Sequence, residues 1–299
     1  MRIFLQKNEH QAWKWITIGY QKAFSFFGYE TVIVNNLNEI DTSQDYCVFF
    51  REDGVNDLTV DVLKKSKVSY LYVQPNHFPY HWGQHPSWQC SVSLENIKKL
   101  NSFENVKKWT FCNETSFFNL WKDVHIMPLA YDSLSYEADI IKDYKYDICF
   151  IGGFADNGFN EKIKNITEML EAFMQSGLKC GFSVNGNVSH ETENFVLNNS
   201  KISLNIHDLY QRVLGLDSNE RTFKSLGCNG LLLCDDVDQV KKLFPNTYCS
   251  NDPQKLIAKA KEYFSLESDD LNKIKQENKN LILNNHTYIK RVETFLSLK

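Results

Sequence analysis

The chain has 299 residues, of which 42% are hydrophobic and 23% are charged, and its formal net charge is -4. This composition is ordinary for a globular protein, and the length suits two α/β domains better than a single core. A weak negative charge without a long basic run gives no support for a nucleic-acid partner, although a local basic patch stays open.

The amino-terminal half alternates strand-like apolar runs with helical patterns. Strands are predicted at residues 3–5, 31–34, 46–50, 69–73, 108–112 and 125–130, and helices at residues 11–27 and 60–65. Gly28 is expected to end the first helix. This β-α-β alternation is typical of a parallel sheet that is covered by helices.

The same alternation starts again after residues 134–145, a polar stretch that we interpret as a linker. Strands are predicted at residues 147–151, 180–184, 202–206 and 230–234, and helices at residues 161–175, 218–228, from 253 onward, and from 270 to the end. The predicted domains are therefore 1–133 and 146–280, and residues 281–299 form a helix that can cross back to the first domain. Two Rossmann-like domains of this kind bind ligands at the carboxyl ends of their parallel strands, in a cleft between them.

The sequence also predicts a cytoplasmic protein. No run reaches the ~18 consecutive apolar residues of a transmembrane helix, and the start, MRIFLQKNEH, lacks the apolar stretch of a signal peptide. The eight cysteines are scattered without a C-x-x-C pair, as is typical of reduced, buried thiols. Peripheral contact with a membrane surface stays open.

Two glycines follow the strand at residues 147–151. At Gly152 and Gly153, backbone N–H groups can approach a phosphate closely, and the dipole of the next helix favours an anion. The full pattern G-x-G-x-x-G is absent, so a plain strand-to-helix turn is the simpler explanation of this stretch alone. Asn185, after the next predicted strand, is a further binding candidate.

Residues 203–236 hold a second candidate site. A strand ends near His207, and Asp217 or Ser218 is predicted to cap a helix that carries Arg221 in its first turn. A guanidinium group beside a helix N-terminus concentrates positive potential, which suits a diphosphate. Solvation of an ordinary surface arginine is the alternative.

Four motifs in the second half occur together in one known family. Residues 146–152 (YDICFIG), 204–207 (LNIH), 221–224 with 227–230 (RTFK, GCNG) and 286–291 (HTYIKR) resemble, in order, Y-D-x-x-F-x-G, L-N-I-H, R-T-F-E with A-C-G-G, and H-T-Y-x-x-R. Residues 146–299 therefore resemble the spore-maturation (CgeB-like) glycosyltransferases, a branch of the GT-B enzymes. The first half is less diagnostic, although residues 127–132 resemble the family segment P-L-A-x-D.

The resemblance implies a GT-B fold in which the second domain holds a nucleotide sugar and the first presents the acceptor, which would be a glycan, a lipid-linked sugar or a protein. It implies that Arg221 neutralises the diphosphate leaving group. Fixed positive charge needs no metal for this task, so we predict a metal-independent hexosyltransferase with no cofactor besides its UDP- or GDP-linked co-substrate. The predicted donor-binding residues are Gly152, Gly153, Asn185, His207, Ser218, Glu220, Arg221, Thr222 and Lys224.

One position departs from the family pattern. The family glutamate after Phe223 is Lys224 in this chain, and lysine cannot accept hydrogen bonds from ribose hydroxyls. Either the ribose is held differently, or Glu220 replaces the glutamate, or turnover is lost. Glu220 and Lys224 are spaced i, i+4, so an exposed ion pair is a further interpretation. Asp217 lies near the acidic residue of related retaining enzymes, and it joins Arg221 as a catalytic candidate.

A loop rich in histidine and aromatic residues spans residues 73–90. His77, His81 and His85 recur every four residues, but two prolines and a glycine argue against the continuous helix that a zinc site would need, so no metal site is predicted. Aromatic faces stack on sugar rings, and His81, Trp82 and His85 are predicted to contact the acceptor. His77 is a candidate general base. A loop that packs on its own aromatic residues is the alternative.

Three other functions stay open at this stage. A nucleotide-sugar epimerase uses the same fold, but it needs acid–base carboxylates that the sequence does not place. A non-catalytic nucleotide-sugar-binding subunit is compatible with Lys224. A DNA-modifying glycosyltransferase would need a basic groove on the first domain.

Overall fold

The computed structural model describes residues 1–8, 11–76, 90–136, 144–154 and 162–298. The chain divides into two compact units. Unit 1 comprises Met1–Pro128 and Tyr288–Lys299, and unit 2 comprises Leu129–Thr287. Within the described ranges, no helix is both long enough and apolar enough to cross a membrane.

Unit 1 is built on a parallel sheet. Its elements up to Pro128 are β1 (Arg2–Gln6), α1 (Gln11–Phe26), β2 (Glu30–Val34), β3 (Tyr46–Arg51), α2 (Asp57–Lys65), β4 (Val68–Tyr72), α3 (Leu94–Asn101), β5 (Val106–Thr110) and β6 (Val124–Ile126). The strand order is β2-β1-β3-β4-β5-β6, and each pairing is parallel. Such a sheet needs helical connections between its strands, which the alternation in the sequence supplies.

Unit 2 repeats this architecture. Its elements are β7 (Tyr146–Gly152), α4 (Lys162–Gln175), β8 (Cys180–Val184), α5 (His190–Asn198), β9 (Ser200–Asn205), α6 (Leu209–Leu214), α7 (Glu220–Cys228), β10 (Leu232–Cys234), α8 (Asp238–Leu243), β11 (Tyr248–Cys249), α9 (Pro253–Phe264) and α10 (Ser268–Asn285). The strand order is β11-β10-β9-β7-β8, again parallel. The last helix, α11 (Tyr288–Ser297), belongs to unit 1. The predicted α/β architecture with two parallel sheets is confirmed.

Aromatic side chains fill the core of unit 1. Tyr20 of α1 and Phe295 of α11 pack against Trp109 of β5, with ring centroids 5.6 and 5.1 Å from the Trp109 ring. Gly19 lies against the ring of Tyr288, which a β-carbon at this position would overlap. The missing side chain thus lets α1 and α11 pack closely, and α11 completes this core.

Apolar side chains of β7, β9 and β10 form the core of unit 2 together with α4 and α9. The buried members include Ile148, Phe150, Ile166, Leu170, Phe173, Ile202, Leu204, Leu233, Leu256 and Ala260. Full burial of one such large side chain stabilises the fold by roughly 1.5–3 kcal/mol. This core fixes the carboxyl ends of β7 and β9, where the predicted site residues lie.

Residues 129–133 pack with unit 2, although the sequence prediction assigned them to the first domain. Tyr131 is fully buried, forms an isolated bridge with Thr287, and donates its N–H to the His286 carbonyl at 2.8 Å. A β-carbon on Gly227 of α7 would overlap the Tyr131 ring. These contacts explain why the chain enters unit 2 at Leu129. Most of the predicted linker, at 137–143, lies outside the described residues.

Candidate donor-binding site

The carboxyl end of β7 meets the first turn of α7. Gly152 is half-exposed there, and the half-buried Arg221 lies directly against it. A β-carbon on Gly152 would overlap the guanidinium group, so the glycine makes room for Arg221. Arg221 Nη1 donates to Asn205 Oδ1 at 2.9 Å, and the group lies 5.0 Å from the centroid of the Phe150 ring. The structure thus brings two predicted site residues together and holds the cation in place.

Arg221 carries a fixed positive charge at this edge of the sheet. Burial lowers the pKa of Arg221, while nearby carboxylates, those of Glu193 and Asp208 foremost, raise it. Arginine is effectively never deprotonated in proteins, so the charge persists. A second cation, Lys162 at the start of α4, pairs with Asp208 at 3.1 Å. The sequence analysis did not single out Lys162 or Asp208, because neither belongs to a recognised motif.

Asn185 organises the glycine turn. Its backbone lies in the left-handed region, with φ at +53°, where asparagine is favoured over most residues. The Asn185 N–H donates to the Gly152 carbonyl at 2.8 Å, and its Oδ1 accepts from the Phe154 N–H at 2.9 Å. A β-carbon on Gly153 would overlap the Asn185 Oδ1 atom. Asn185 therefore ties the end of β8 to the turn after β7.

His207 is a buried positioning residue in this structure. Its ring is 0% exposed, its Nδ1 lies 2.6 Å from Asp235 Oδ1, and its Nε2 lies 3.2 Å from Thr222 Oγ1. The His207 N–H also donates to Asp235 Oδ2 at 2.8 Å. The predicted donor-binding residues His207 and Thr222 thus link β9, the segment after β10, and α7 beneath the site surface. Asp235 was missed, although its place directly after β10 was a usable signal.

The cap of α7 differs from the prediction. Asn219 Oδ1 accepts from the Thr222 N–H at 3.4 Å, so Asn219 is the N-cap, and the assignment to Asp217 or Ser218 is wrong. Ser218 is buried, and both its N–H and its Oγ donate to Gln239 Oε1, at 2.7 and 2.9 Å. The Ser218 hydroxyl is therefore directed at Gln239, and the side chain of the next residue, Asn219, caps the helix instead.

Asp217 lies two residues before the N-cap Asn219, and its carboxyl group has a raised pKa. Burial raises the pKa of Asp217 to about 7, Gln211 lowers it through a hydrogen bond, and Asp208 raises it. Gln211 Nε2 donates to Asp217 Oδ1 at 3.4 Å. A carboxyl with a pKa near neutrality can exchange a proton at physiological pH, which is the property required of an acid–base group.

Lys224 lies in a buried polar cluster rather than on the surface. It is 7% exposed, and its Nζ lies 2.8 Å from Glu193 Oε1 and 3.8 Å from Glu220 Oε2. The Tyr136 hydroxyl also bonds to Glu193. Burial disfavours the charged amine, yet Glu220 and Glu193 raise the pKa of Lys224 above its usual value. Lys224 does pair with Glu220, as the i, i+4 spacing predicts, but this pair is buried rather than exposed, and Glu193 of α5 is the closer partner.

The remaining candidates fall outside the described part of the chain. His77, His81, Trp82 and His85 lie there, so their predicted acceptor and base roles stay predictions. Among the described residues, no group of three or more His, Cys, Asp or Glu side chains could hold a metal ion.

Unit 1 holds a buried carboxyl that the sequence analysis missed. Glu52 directly follows β3, is 2% exposed, and accepts the Gln74 N–H at 3.0 Å. Burial raises the pKa of Glu52 to about 8. A glutamate is charged in most settings, so nothing in the sequence marked this one as buried.

A family match covers most of unit 2. Residues 160–297 match the family model described as glycosyl transferase-like. This region is glycosyltransferase-like. It contains Arg221, Asp217 and Lys224, and the match agrees with the predicted glycosyltransferase character of this region. The finer resemblance to CgeB-like enzymes stays a prediction. None of the curated proteins compared with the chain matches it in sequence.

Solved structures of glycosyltransferases resemble the whole chain. AviGT4, a glycosyltransferase involved in Avilamycin A biosynthesis, is 9% identical with a TM-score of 0.57, and the match covers 100% of this chain and 96% of AviGT4. An alpha-glucosyltransferase in complex with UDP and a 13-mer DNA containing an HMU base is 11% identical with a TM-score of 0.62, over 99% of this chain and 98% of that one.

TarM matches over only part of its own length. It is 11% identical with a TM-score of 0.56, and the match covers 87% of this chain but 56% of TarM. The chain therefore spans little more than half of TarM. At such low identities the likeness shows the fold alone, and it confirms the predicted GT-B fold.

Proposed function

We propose that the chain transfers a hexose from a UDP-linked sugar to an acceptor hydroxyl without a metal ion. The observation that carries this proposal is the Arg221 guanidinium, which Gly152 and Asn205 hold at the carboxyl edge of a parallel sheet. Ligands of open α/β sheets bind at this edge. A fixed cation there matches the charge of a diphosphate, and the glycosyl transferase-like match at residues 160–297 agrees with that substrate.

The chemical step follows from this charge. Transfer forms a bond between the sugar carbon and the acceptor oxygen, whose proton passes to a base, and it breaks the bond between the sugar carbon and the diphosphate oxygen, so negative charge grows on the leaving group. Arg221 stabilises that charge through guanidinium N–H donors, and prearranged donors of this kind are often the largest catalytic contribution. Asp217, with its pKa raised to about 7, is the proposed acid–base group. Lys162 interacts electrostatically with Arg221, and its ion pair with Asp208 offsets its charge.

UDP is the proposed nucleotide, because the alpha-glucosyltransferase of the same fold is found with UDP. The acceptor is proposed to be a glycan, a lipid-linked sugar or a protein. Since that enzyme is also found with DNA, duplex DNA belongs in the acceptor panel. The net charge of -4 weighs against nucleic acid.

The test is a thermal-shift screen of the wild type and Arg221→Ala with UDP, GDP, CMP and dTDP, each with EDTA and with Mg²⁺. A ligand at 100 times its dissociation constant stabilises by roughly 2.7 kcal/mol. UDP is expected to raise the melting temperature of the wild type equally under both conditions, and to leave Arg221→Ala unchanged. Arg2→Ala, which removes an exposed arginine of unit 1, is the matched control and should respond like the wild type.

Activity assays then separate the remaining classes of protein. Release of UDP from UDP-glucose that depends on an added acceptor supports transfer. Interconversion of UDP-sugars without an acceptor would indicate an epimerase, and binding without turnover would indicate a non-catalytic subunit. If no nucleotide stabilises the wild type at millimolar concentration, the proposal is wrong.

A further inference from the structure

Two cysteine side chains meet on neighbouring strands of the unit 2 sheet. Cys234 is the last residue of β10, Cys249 is the last residue of β11, and the parallel register pairs them directly. Their Sγ atoms lie 3.4 Å apart. Residues paired in this way point to the same face of a sheet, and neighbouring strands lie about 4.8 Å apart. This spacing falls within the ~4.4–6.8 Å between Cα atoms that a disulfide spans, so the backbone already suits a bond between the two sulfur atoms.

The two thiols differ in their access to solvent. Cys234 is 0% exposed, whereas Cys249 is partly exposed. The hydrogen bond to Cys249, together with burial, raises the pKa of the Cys234 thiol. A dissolved oxidant can therefore reach Cys249, while Cys234 is shielded and waits as a second thiol beside it. An accessible thiol with a neighbouring resolving cysteine is the arrangement in which oxidation ends in a disulfide.

A disulfide fits this pair better than a metal ion does. Zinc sites in proteins use three or four side-chain ligands. Within the part of the chain that the structure describes, which includes both cysteines, no group of three or more His, Cys, Asp or Glu side chains could hold a metal ion. Two neighbouring thiols, by contrast, need only an oxidant that accepts two electrons to form a covalent bond.

We infer that Cys234 and Cys249 form a reversible disulfide when the protein meets a small disulfide such as glutathione disulfide. The Cys249 thiolate attacks one sulfur atom of the oxidant, which forms a mixed disulfide and releases one glutathione thiolate. The Cys234 thiolate then attacks the Cys249 sulfur, which releases the second glutathione thiolate. The protons of both cysteines pass through water to the released thiolates. The protein thus loses two electrons and two protons, and the oxidant becomes two molecules of glutathione.

The bond joins β10 to the outermost strand of the unit 2 sheet. Strand β11 has two residues and lies at the sheet edge, and the Ser250 N–H that follows it donates to the Cys234 carbonyl at 2.9 Å. Cys234 directly precedes Asp235, whose carboxylate holds His207. Oxidation therefore ties the edge strand covalently to the segment that positions His207. The bond forms whether or not the protein transfers a sugar.

Incubation of the full chain with glutathione disulfide under native conditions tests this inference. The reaction is quenched with acid, the remaining thiols are alkylated in urea, and tryptic peptides are mapped before and after reduction with dithiothreitol. Trypsin cuts between the two cysteines at Lys241 and Lys242, and fragmentation distinguishes Cys234 from Cys228 on the same peptide. The wild type is expected to lose alkylation at Cys234 and Cys249 together, to yield peptides joined through them, and to regain both thiols on reduction.

Three variants separate the steps. Cys180→Ala is the matched control, because Cys180 is another partly exposed cysteine of unit 2, and it should form the same bond as the wild type. Cys234→Ala is expected to retain glutathione on Cys249, since no second thiol can displace it. Cys249→Ala is expected to keep Cys234 reduced, since that thiol is buried. Should a variant not fold, the peptide map of the wild type decides by itself.

Three results would overturn the inference. These are joined peptides that form only when the oxidant is added in urea, glutathione that stays on Cys249 of the wild type, and two thiols that remain reduced under native conditions. Each would mean that the contact between Cys234 and Cys249 is packing between two thiols only.

Discussion

The guanidinium group of Arg221 occupies the space that a β-carbon on Gly152 would need. The two residues lie 69 positions apart in the sequence, yet neither can be changed without affecting the other. Phe150 and Asn205 hold the group from two further directions. The position of the cation therefore depends on the glycine as much as on the arginine.

Gly152→Ala is predicted to act like Arg221→Ala. The methyl group displaces the guanidinium, and loss of one prearranged donor typically lowers kcat by ~10²–10³-fold. Both single variants and the double variant are measured for kcat/KM with UDP-glucose. The double variant should be no worse than Arg221→Ala, because both changes remove one interaction. Additive losses would show that Gly152 acts independently of Arg221.

Loss of either partner of the Lys224–Glu193 pair alone is predicted to destabilise the fold more than loss of both charges together. Lys224→Met leaves the Glu193 carboxylate without its 2.8 Å partner, and breaking a buried pair on one side costs about 3–5 kcal/mol. Lys224→Met/Glu193→Gln removes both charges and should recover much of this loss. Urea unfolding of the three proteins measures it.

Lys224→Glu restores the family residue and separates two explanations of this position. It places a third carboxylate beside Glu193 and Glu220, so we expect lower stability and no gain in donor affinity. A variant that folds well and binds UDP more tightly would contradict this expectation. Such a result would indicate that Lys224 impairs donor binding rather than stabilising the fold.

Long periodic elements were predictable from the sequence, and the family resemblance assigned the glycine turn and Arg221 to one donor site, but not the direct contact between Gly152 and Arg221. Strand β7 and helix α1 carry clear apolar patterns; β7 ends at Gly152, and α1 ends at Phe26, two residues before Gly28. The short helices α3, α5, α6 and α8 were missed, because their few buried residues give no readable period. Strand β5 spans Val106–Thr110 rather than the predicted 108–112, because Lys107 and Lys108 interrupt the apolar pattern at its start.

Contacts between residues that lie far apart in the sequence could not be predicted either. The family pattern drew attention to position 224, but nothing local to α7 pointed to Glu193, which the fold brings in from α5. The same holds for His207 and Asp235, which lie just after the neighbouring strands β9 and β10 and meet because those strands pair. Residue type and motif order thus selected the candidate residues, while tertiary structure determines which of them are buried.

Two substitutions of Asn185 are predicted to separate the effect of backbone geometry on stability from the effect of charge on UDP binding. Asn185→Ala loses the Oδ1 acceptor of the Phe154 N–H and strains a backbone with φ at +53°, which costs of order 1–3 kcal/mol. Asn185→Asp keeps the acceptor atom and tolerates the backbone, so its melting temperature should stay near that of the wild type. Its negative charge beside the Gly152 turn should nevertheless weaken UDP binding. Similar UDP affinity for Asn185→Asp and the wild type would argue against a diphosphate at this turn.

Glu52 predicts a pH dependence of stability that is independent of any substrate. Its folded pKa of about 8 exceeds the unfolded value of about 4.3, so the folded state favours the protonated carboxyl. The stability from this group is complete below the unfolded pKa and is lost as pH rises to about 8. Glu52→Gln keeps an oxygen acceptor for the Gln74 N–H and removes the titration.

Urea unfolding between pH 5 and 8.5 measures this effect. The free energy of unfolding of Glu52→Gln should exceed that of the wild type increasingly with pH, by up to about 1.4 kcal/mol per pH unit. Asp53→Asn removes a neighbouring carboxyl that is 44% exposed, and it controls for the general loss of one negative charge. A constant difference between Glu52→Gln and the wild type across this range would mean that Glu52 is ionised throughout, and that its burial is matched by a cation in the folded protein.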